Sequence, residues 1–167
     1  MRYFLIRVVK LIMQKKHRNI ALFGGSFNPP HAGHFEIARR VARRKSIDEV
    51  WILPTYRHPF GKKMAPFSKR MELCRKLFSP LEKVKIKDWE KKRGGVSYTL
   101  DLIVFLKNKF PKHSFSWVMG SDDYEERHEW KQFADIEKLV KIIVFPRGKH
   151  SSIPDVSSTE IRRRLKK

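Results

Sequence analysis

Cysteine is almost absent, Cys74 being the only one in 167 residues. A lone thiol can neither close an internal disulfide nor build a thiolate metal cage, which excludes a stapled secreted scaffold and points to a reducing, cytoplasmic setting. Long apolar runs are lacking too. The most apolar stretch, Tyr3 to Met13, is interrupted by Arg7 and Lys10, is too short to span a bilayer and is followed by no small-residue cleavage pattern. It reads as an extra helix or a frayed extension, with an interfacial anchor as the other option and Met13 as a candidate start. Residues 1–18 are therefore expected to be an N-terminal extension and residues 19–167 a single domain, a size at which about two thirds of the unfolded surface can be buried. Acidic residues are scarce: 17 Asp and Glu stand against 38 Lys and Arg, a formal charge of +21. Such a field draws nucleotides, nucleic acid and anionic membranes alike, and by itself does not choose among them.

Repeats and low-complexity blocks are missing as well, and what remains is a series of short apolar bursts separated by helical patterns. The bursts Ile20–Phe23, Val50–Leu53, Val84–Lys87, Phe115–Met119 and Lys141–Phe145 are mostly rich in β-branched or aromatic residues and are predicted strands. Helices are predicted over His34–Arg44, Ser68–Phe78, Tyr98–Phe110, Asp123–Leu139 with a break near Trp130, and Thr159–Leu165. Alternating strands and helices predict an α/β fold: a Rossmann-like three-layer sandwich on a mostly parallel sheet with right-handed crossovers. Ligands of such sheets bind outside the carboxyl ends of the strands, so the segments after the strands should carry the chemistry.

After the first strand comes GGSFNPPHAGH. Gly24 and Gly25 remove side chains where a phosphate or base would approach the backbone, Ser26 and Asn28 offer polar groups, and Pro29 and Pro30 stiffen the loop. A helix starting near His31 sets its positive end beside this turn. His31 and His34, three apart, share one helical face and can address one anion, for which a triphosphate is suited. The plain alternative is a pair of ordinary helix-start histidines. A zinc pair needs a spacing of four and a third ligand that the sequence does not supply, so no metal ligand is assigned.

GSFNPPHAGH resembles the T/HxGH signature of the nucleotidyltransferase superfamily, and its FNPPH form is similar to the nicotinate and nicotinamide mononucleotide adenylyltransferases. The resemblance implies that His31 and His34 stabilise the phosphates of ATP during direct in-line attack, with Gly24, Gly25, Ser26 and Phe27 binding ATP and Asn28 on the mononucleotide side. Near the other end, VSSTEIRRRL reads first as a capped helix, with Ser157 and Glu160 at capping-box spacing. It also resembles the superfamily motif ISSTxIR, which implies ATP contacts from Ser158 and Thr159 and a catalytic Arg162, whose fork suits a phosphate gaining charge.

The remaining loops carry softer likenesses. HPFGKK resembles the lysine loop that holds the mononucleotide phosphate, implying Lys62 rather than Lys63, although Phe60 and Gly61 replace the Pro and His of the PPHK form; a solvated basic loop is the plain reading. VSYTLD resembles the SYT segment of the family, which places Ser97, Tyr98 and Thr99 at the mononucleotide. In GSDDYEERHEW, Gly120 and Asp122 match the family's GxD, implying ATP contacts, and Trp130 its pyridine-stacking tryptophan. The polar neighbours of Trp130 predict a half-exposed ring. Lys131 stands where relatives using nicotinate often have an aromatic residue, which leaves nicotinate or nicotinamide open. Arg147 resembles the arginine of the family's RxG turn, at the mononucleotide or its phosphate; an exposed turn arginine is the alternative.

The resemblance implies transfer of AMP from ATP to a pyridine mononucleotide, with Mg²⁺ accompanying ATP, in NAD synthesis. ATP and the mononucleotide are then the partners, with no specific nucleic acid and no membrane span, and with a homodimer among the options for assembly. Two alternatives stay open: a phosphopantetheine acceptor on the same fold, and a basic nucleic-acid-binding module suggested by the charge.

Overall fold

The computed structural model describes residues 16–148 and 151–166, so the apolar segment Tyr3 to Met13 lies outside the described residues. Five strands, β1 (Asn19–Gly25), β2 (Glu49–Pro54), β3 (Val84–Ile86), β4 (Ser114–Gly120) and β5 (Lys141–Phe145), form one sheet in the order β3-β2-β1-β4-β5. Every pairing is parallel. All five expected strands are present, and the sheet is parallel throughout.

The register sends alternate side chains to opposite faces. Ala21, Phe23, Val50, Ile52 and Val118 meet Ile37, Ala38 and Val41 of α1 (Ala32–Ala42) and Cys74 and Phe78 of α2 (Phe67–Phe78). Ile20, Leu22, Trp51, Leu53, Trp117 and Met119 meet Leu102, Ile103 and Leu106 of α4 (Thr99–Lys109) and Phe133 and Ile136 of α6 (Phe133–Leu139). Two cores on one sheet make the three-layer sandwich. Buried on both faces, the central strands read as continuous apolar runs, which is why they were legible.

The helices differ from expectation in detail. α1 begins two residues earlier than predicted, with His31 at its cap. The stretch expected to be helical from Asp123 with a break near Trp130 is three pieces, α5 (Ser121–Glu125), a 3₁₀ turn (Arg127–Glu129) and α6, and the expected break is present: Trp130 is extended and Gln132 takes a left-handed φ of 52°. The helix α3 (Trp89–Arg93) was not predicted; at five residues it has no room for a helical apolar period. Among the described residues no helix is long and apolar enough to cross a membrane. The last helix, α7 (Ser158–Arg164), is capped by Ser157, whose side chain accepts from the Glu160 backbone amide at 3.1 Å.

From β1 the chain steps outward to β2 and β3, then returns to β4 on the other side of β1 and goes on to β5. The winding thus reverses between β1 and β4, where doubly wound sheets open a crevice at the carboxyl ends of the strands. β1 ends at Gly24 and Gly25, and β4 at Gly120. A Cβ on Gly24 would lie 2.4 Å from the buried indole of Trp117, so the two strands approach this closely only with glycine there. Gly24→Ala should therefore overpack the core at a cost of about 1–3 kcal/mol, read as a lowered urea midpoint. Combining it with Trp117→Phe should return part of the loss beyond additivity, and strict additivity of the two would show that the ring is not the obstacle.

Candidate active site

The loop leaving β1 is held from three directions. Phe27, buried with φ 44°, meets Phe23 and Phe78 edge-on and lies 4.8 Å from the His34 ring. Arg70 of α2, fully buried, donates from Nη1 to the Ser26 carbonyl at 2.8 Å and from Nε to the Ala65 carbonyl at 2.9 Å. From the far end of the chain, the Ser158 hydroxyl donates to the Pro29 carbonyl at 2.8 Å, and Arg162 donates to the Asn28 carbonyl and, at 3.1 Å, to the Thr159 hydroxyl. Asn28, also buried, accepts from the Ala65 amide at 3.1 Å through Oδ1, tying this loop to the one that carries Lys62.

At the start of α1 the two histidine rings stack, with centroids 3.7 Å apart and planes 30° from parallel. The His31 backbone amide donates to His34 Nδ1 at 3.2 Å, which leaves a neutral His34 with its proton on Nε2. His31 Nδ1 is buried without a hydrogen-bond partner. Arg147 completes the group. Its Nη1 lies where a Gly33 Cβ would come within 2.6 Å, its side chain crosses Gly120, and its Nη2 donates to the Val156 carbonyl at 3.1 Å. The Ser121 hydroxyl accepts from the Arg147 backbone amide at 2.9 Å. Gly33 and Gly120 thus make room for one guanidinium between the loops after β1, β4 and β5.

Burial first, and then the nearby Arg147 charge, lowers His31 from 6.5 to about 4. Burial, His31 and Arg147 hold His34 well below its ordinary value. The free site at neutral pH therefore presents two neutral imidazoles near two guanidiniums and the positive end of α1, an arrangement of polar groups that suits a polyanion.

The other expected residues lie on a second side. Lys62 is exposed, after Gly61 with φ 64°. The buried Ser97 hydroxyl accepts from the amides of Tyr56 and Arg57, both at 3.1 Å, so it is already engaged within the protein. Tyr98 caps α4 and Thr99 opens it. Trp130 is half-buried, as its neighbours predicted, and stands edge-on to Trp117 and Phe133 at 6.3 and 5.9 Å. Asp122 is exposed, its carboxylate folded over Gly120. Arg147, expected on the mononucleotide side, packs beside the histidines, where Gly33 and Gly120 leave room for its side chain to reach Val156. Sequence reasoning missed Arg70; the available signal was a cation on the stripe of Cys74 and Phe78, four and eight residues on.

A family model described as cytidylyltransferase-like matches residues 22–164. A probable nicotinate-nucleotide adenylyltransferase of Anaeromyxobacter dehalogenans is 40% identical over 157 residues, covering 89% of this chain and 84% of that protein. Another, from a Nitratiruptor species, is 37% identical over 159 residues, covering 89% of each. Among solved structures, the Plasmodium falciparum nicotinic acid mononucleotide adenylyltransferase complexed with NaAD shares the fold with a TM-score of 0.73 at 22% identity, covering 88% of this chain and 83% of that one.

The two histidines give stability a definite pH dependence. Their pKa values lie lower folded than the 6.5 of the unfolded chain, so the unfolded state binds more protons and stability falls as pH drops from about 6.5 toward about 4. The urea midpoint of wild type should decline over that window, and His31→Asn combined with His34→Asn should flatten the decline; an unaltered slope would refute the assignment.

Proposed function

The chain belongs to the cytidylyltransferase-like family and, within it, to the nicotinate-nucleotide adenylyltransferases, and we propose that it transfers AMP from ATP to nicotinate mononucleotide, yielding the dinucleotide and pyrophosphate for NAD synthesis. The observation that carries this reading is the gathering of His31, His34, Arg147 and Arg162 around the start of α1, at the point where the sheet reverses its winding.

In the proposed reaction an oxygen of the acceptor phosphate forms a bond to the α-phosphorus of ATP while the bond from that phosphorus to the β-bridging oxygen breaks, and pyrophosphate leaves with the electron pair. A phosphate monoester is already anionic at neutral pH, so no general base is needed, and catalysis is positioning plus stabilisation of charge. His34 donates from Nε2, and Arg147 and Arg162 offer forks to the triphosphate. The incoming negative charge opposes the Arg147 repulsion, which comes after burial among the causes that lower the two histidines. The glycines at 24, 25 and 120, with Ser26, Phe27, Asp122, Ser158 and Thr159, frame the ATP side. Asn28, Lys62, Tyr98, Thr99 and Trp130 frame the acceptor side.

A divalent cation, taken as Mg²⁺, would arrive bound to the triphosphate and would offset part of its charge. The exposed Asp122 carboxylate, beside Gly120, would be placed to meet its water shell.

For the acceptor, Lys131 supports nicotinate. Its ammonium lies 4.7 Å over the Tyr98 ring and 3.6 Å from Asp101 Oδ1, a loose pairing that leaves it free to meet a carboxylate beside Trp130. Nicotinamide has no such charge.

Pyrophosphate release from ATP and Mg²⁺ with nicotinate mononucleotide, nicotinamide mononucleotide and phosphopantetheine offered separately tests the function. The greatest kcat/KM is expected with nicotinate mononucleotide; release only with phosphopantetheine, or with none, would overturn the reading. His31→Ala and His34→Ala should each lower kcat about 10²–10³-fold. Lys131→Gln should cut the nicotinate-over-nicotinamide ratio of kcat/KM about tenfold, mainly through KM, and an unchanged ratio would remove Lys131 from recognition.

A further inference from the structure

Arg70, on α2, is 1% exposed, and the chemistry above makes no use of it. Both of its hydrogen bonds go to neutral backbone carbonyls rather than to a carboxylate. A cation buried on carbonyls alone is costly, so its retention here calls for a reason.

The positions of those carbonyls supply one. Nη1 donates at 2.8 Å to Ser26, in the loop after β1, and Nε donates at 2.9 Å to Ala65, at the end of the loop after β2. The Ala65 amide donates in turn to Asn28 Oδ1 at 3.1 Å, so Ala65 is held through both its carbonyl and its amide. The guanidinium carbon lies 5.5 Å over the centre of the Phe67 ring, and Phe67 meets Tyr56, at the other stem of the second loop, edge-on at 5.3 Å. One planar fork therefore spans the gap between the loop read as framing ATP and the loop that carries Lys62, and a planar fork fixes a separation where a single flexible donor fixes only a contact.

We propose that Arg70 is a positioning residue for the transfer step: by bridging the Ser26 and Ala65 carbonyls it sets the spacing of the two loops, and so aligns the acceptor phosphate with the α-phosphorus of ATP. This rests on the reading of those loops as the ATP and acceptor sides. Arg70 touches neither substrate; it acts through the two backbones it joins.

Steady-state kinetics per folded enzyme, with ATP and nicotinate mononucleotide varied separately, test the proposal. Arg70→Ala should lower kcat about 10²-fold while KM for each substrate stays within about threefold of wild type, because each site keeps its own contacts and only their alignment is lost. Millimolar guanidinium, which can refill the vacated space and donate to both carbonyls, should raise the kcat of this variant about tenfold, and sodium at equal ionic strength should not. Arg70→Lys keeps the charge and most of the volume without the fork; its kcat should also fall about tenfold or more, and it carries the test if Arg70→Ala fails to fold. A kcat within about threefold of wild type in the folded variants, a loss confined to KM, or guanidinium without effect on folded Arg70→Ala would each overturn the proposal. If wild type releases no pyrophosphate with either pyridine nucleotide, the functional reading fails separately, and hydrogen exchange then judges the linkage. Protection of the Ala65 amide must fall in both variants while that of Val50, in the sheet, is retained; undiminished protection at Ala65, or an equal fall at both amides, refutes it.

Discussion

The site depends on a contact between the two ends of the described chain. Ser158 reaches back 129 residues to the Pro29 carbonyl, and Arg162 reaches back 134 to that of Asn28. Both carbonyls belong to a loop crowded with prolines and glycines, whose polar backbone groups cannot all be satisfied locally. Once α7 supplies the missing donors, the loop has a defined shape and the start of α1 is aimed. The same arginine that ties the loop down keeps the rest of its fork beside the proposed phosphate site, so structural support and ligand binding share one group.

Charge is arranged so that binding, rather than folding, relieves it. Arg70 is buried with carbonyl partners, Arg147 lies against two desolvated histidines, and burial holds both imidazoles neutral. Gathering these groups without an anion costs stability, which larger apolar burial on both faces of the sheet offsets. A triphosphate reverses the sign of the local field. In the proposed reaction, donors already fixed by the fold would meet the negative charge as it develops, which is the preorganisation that lowers a barrier in phosphoryl chemistry. The overall charge of +21 adds long-range steering of the same anions.

The acceptor side is built differently. Its residues come from the loop after β2, the turn before α4 and the stretch after the 3₁₀ turn, and these are joined by side chains rather than by the sheet. Ser97 bridges the first two, and Lys131 lies over Tyr98 to join the third.

Sequence by itself determined the layered α/β class and marked the loops in which the site is proposed. The central strands, buried on both faces, read as apolar runs, and the edge strands β3 and β5 were still legible from their β-branched and aromatic residues; the GGSFNPPHAGH and VSSTEIRRRL segments stood out because tight turns and capped starts need particular residue types. Helix α3, too short for a period, was not legible, whereas the break near Trp130 was, although not the left-handed Gln132 that completes it. Tertiary structure alone decided which groups meet. Arg147 packs on the histidines because Gly33 and Gly120 leave it room, and Arg70 turns inward to hold Ser26; each is a contact between residues distant in sequence, and a linear pattern carries periodicity and local chemistry but not the distances that folding closes.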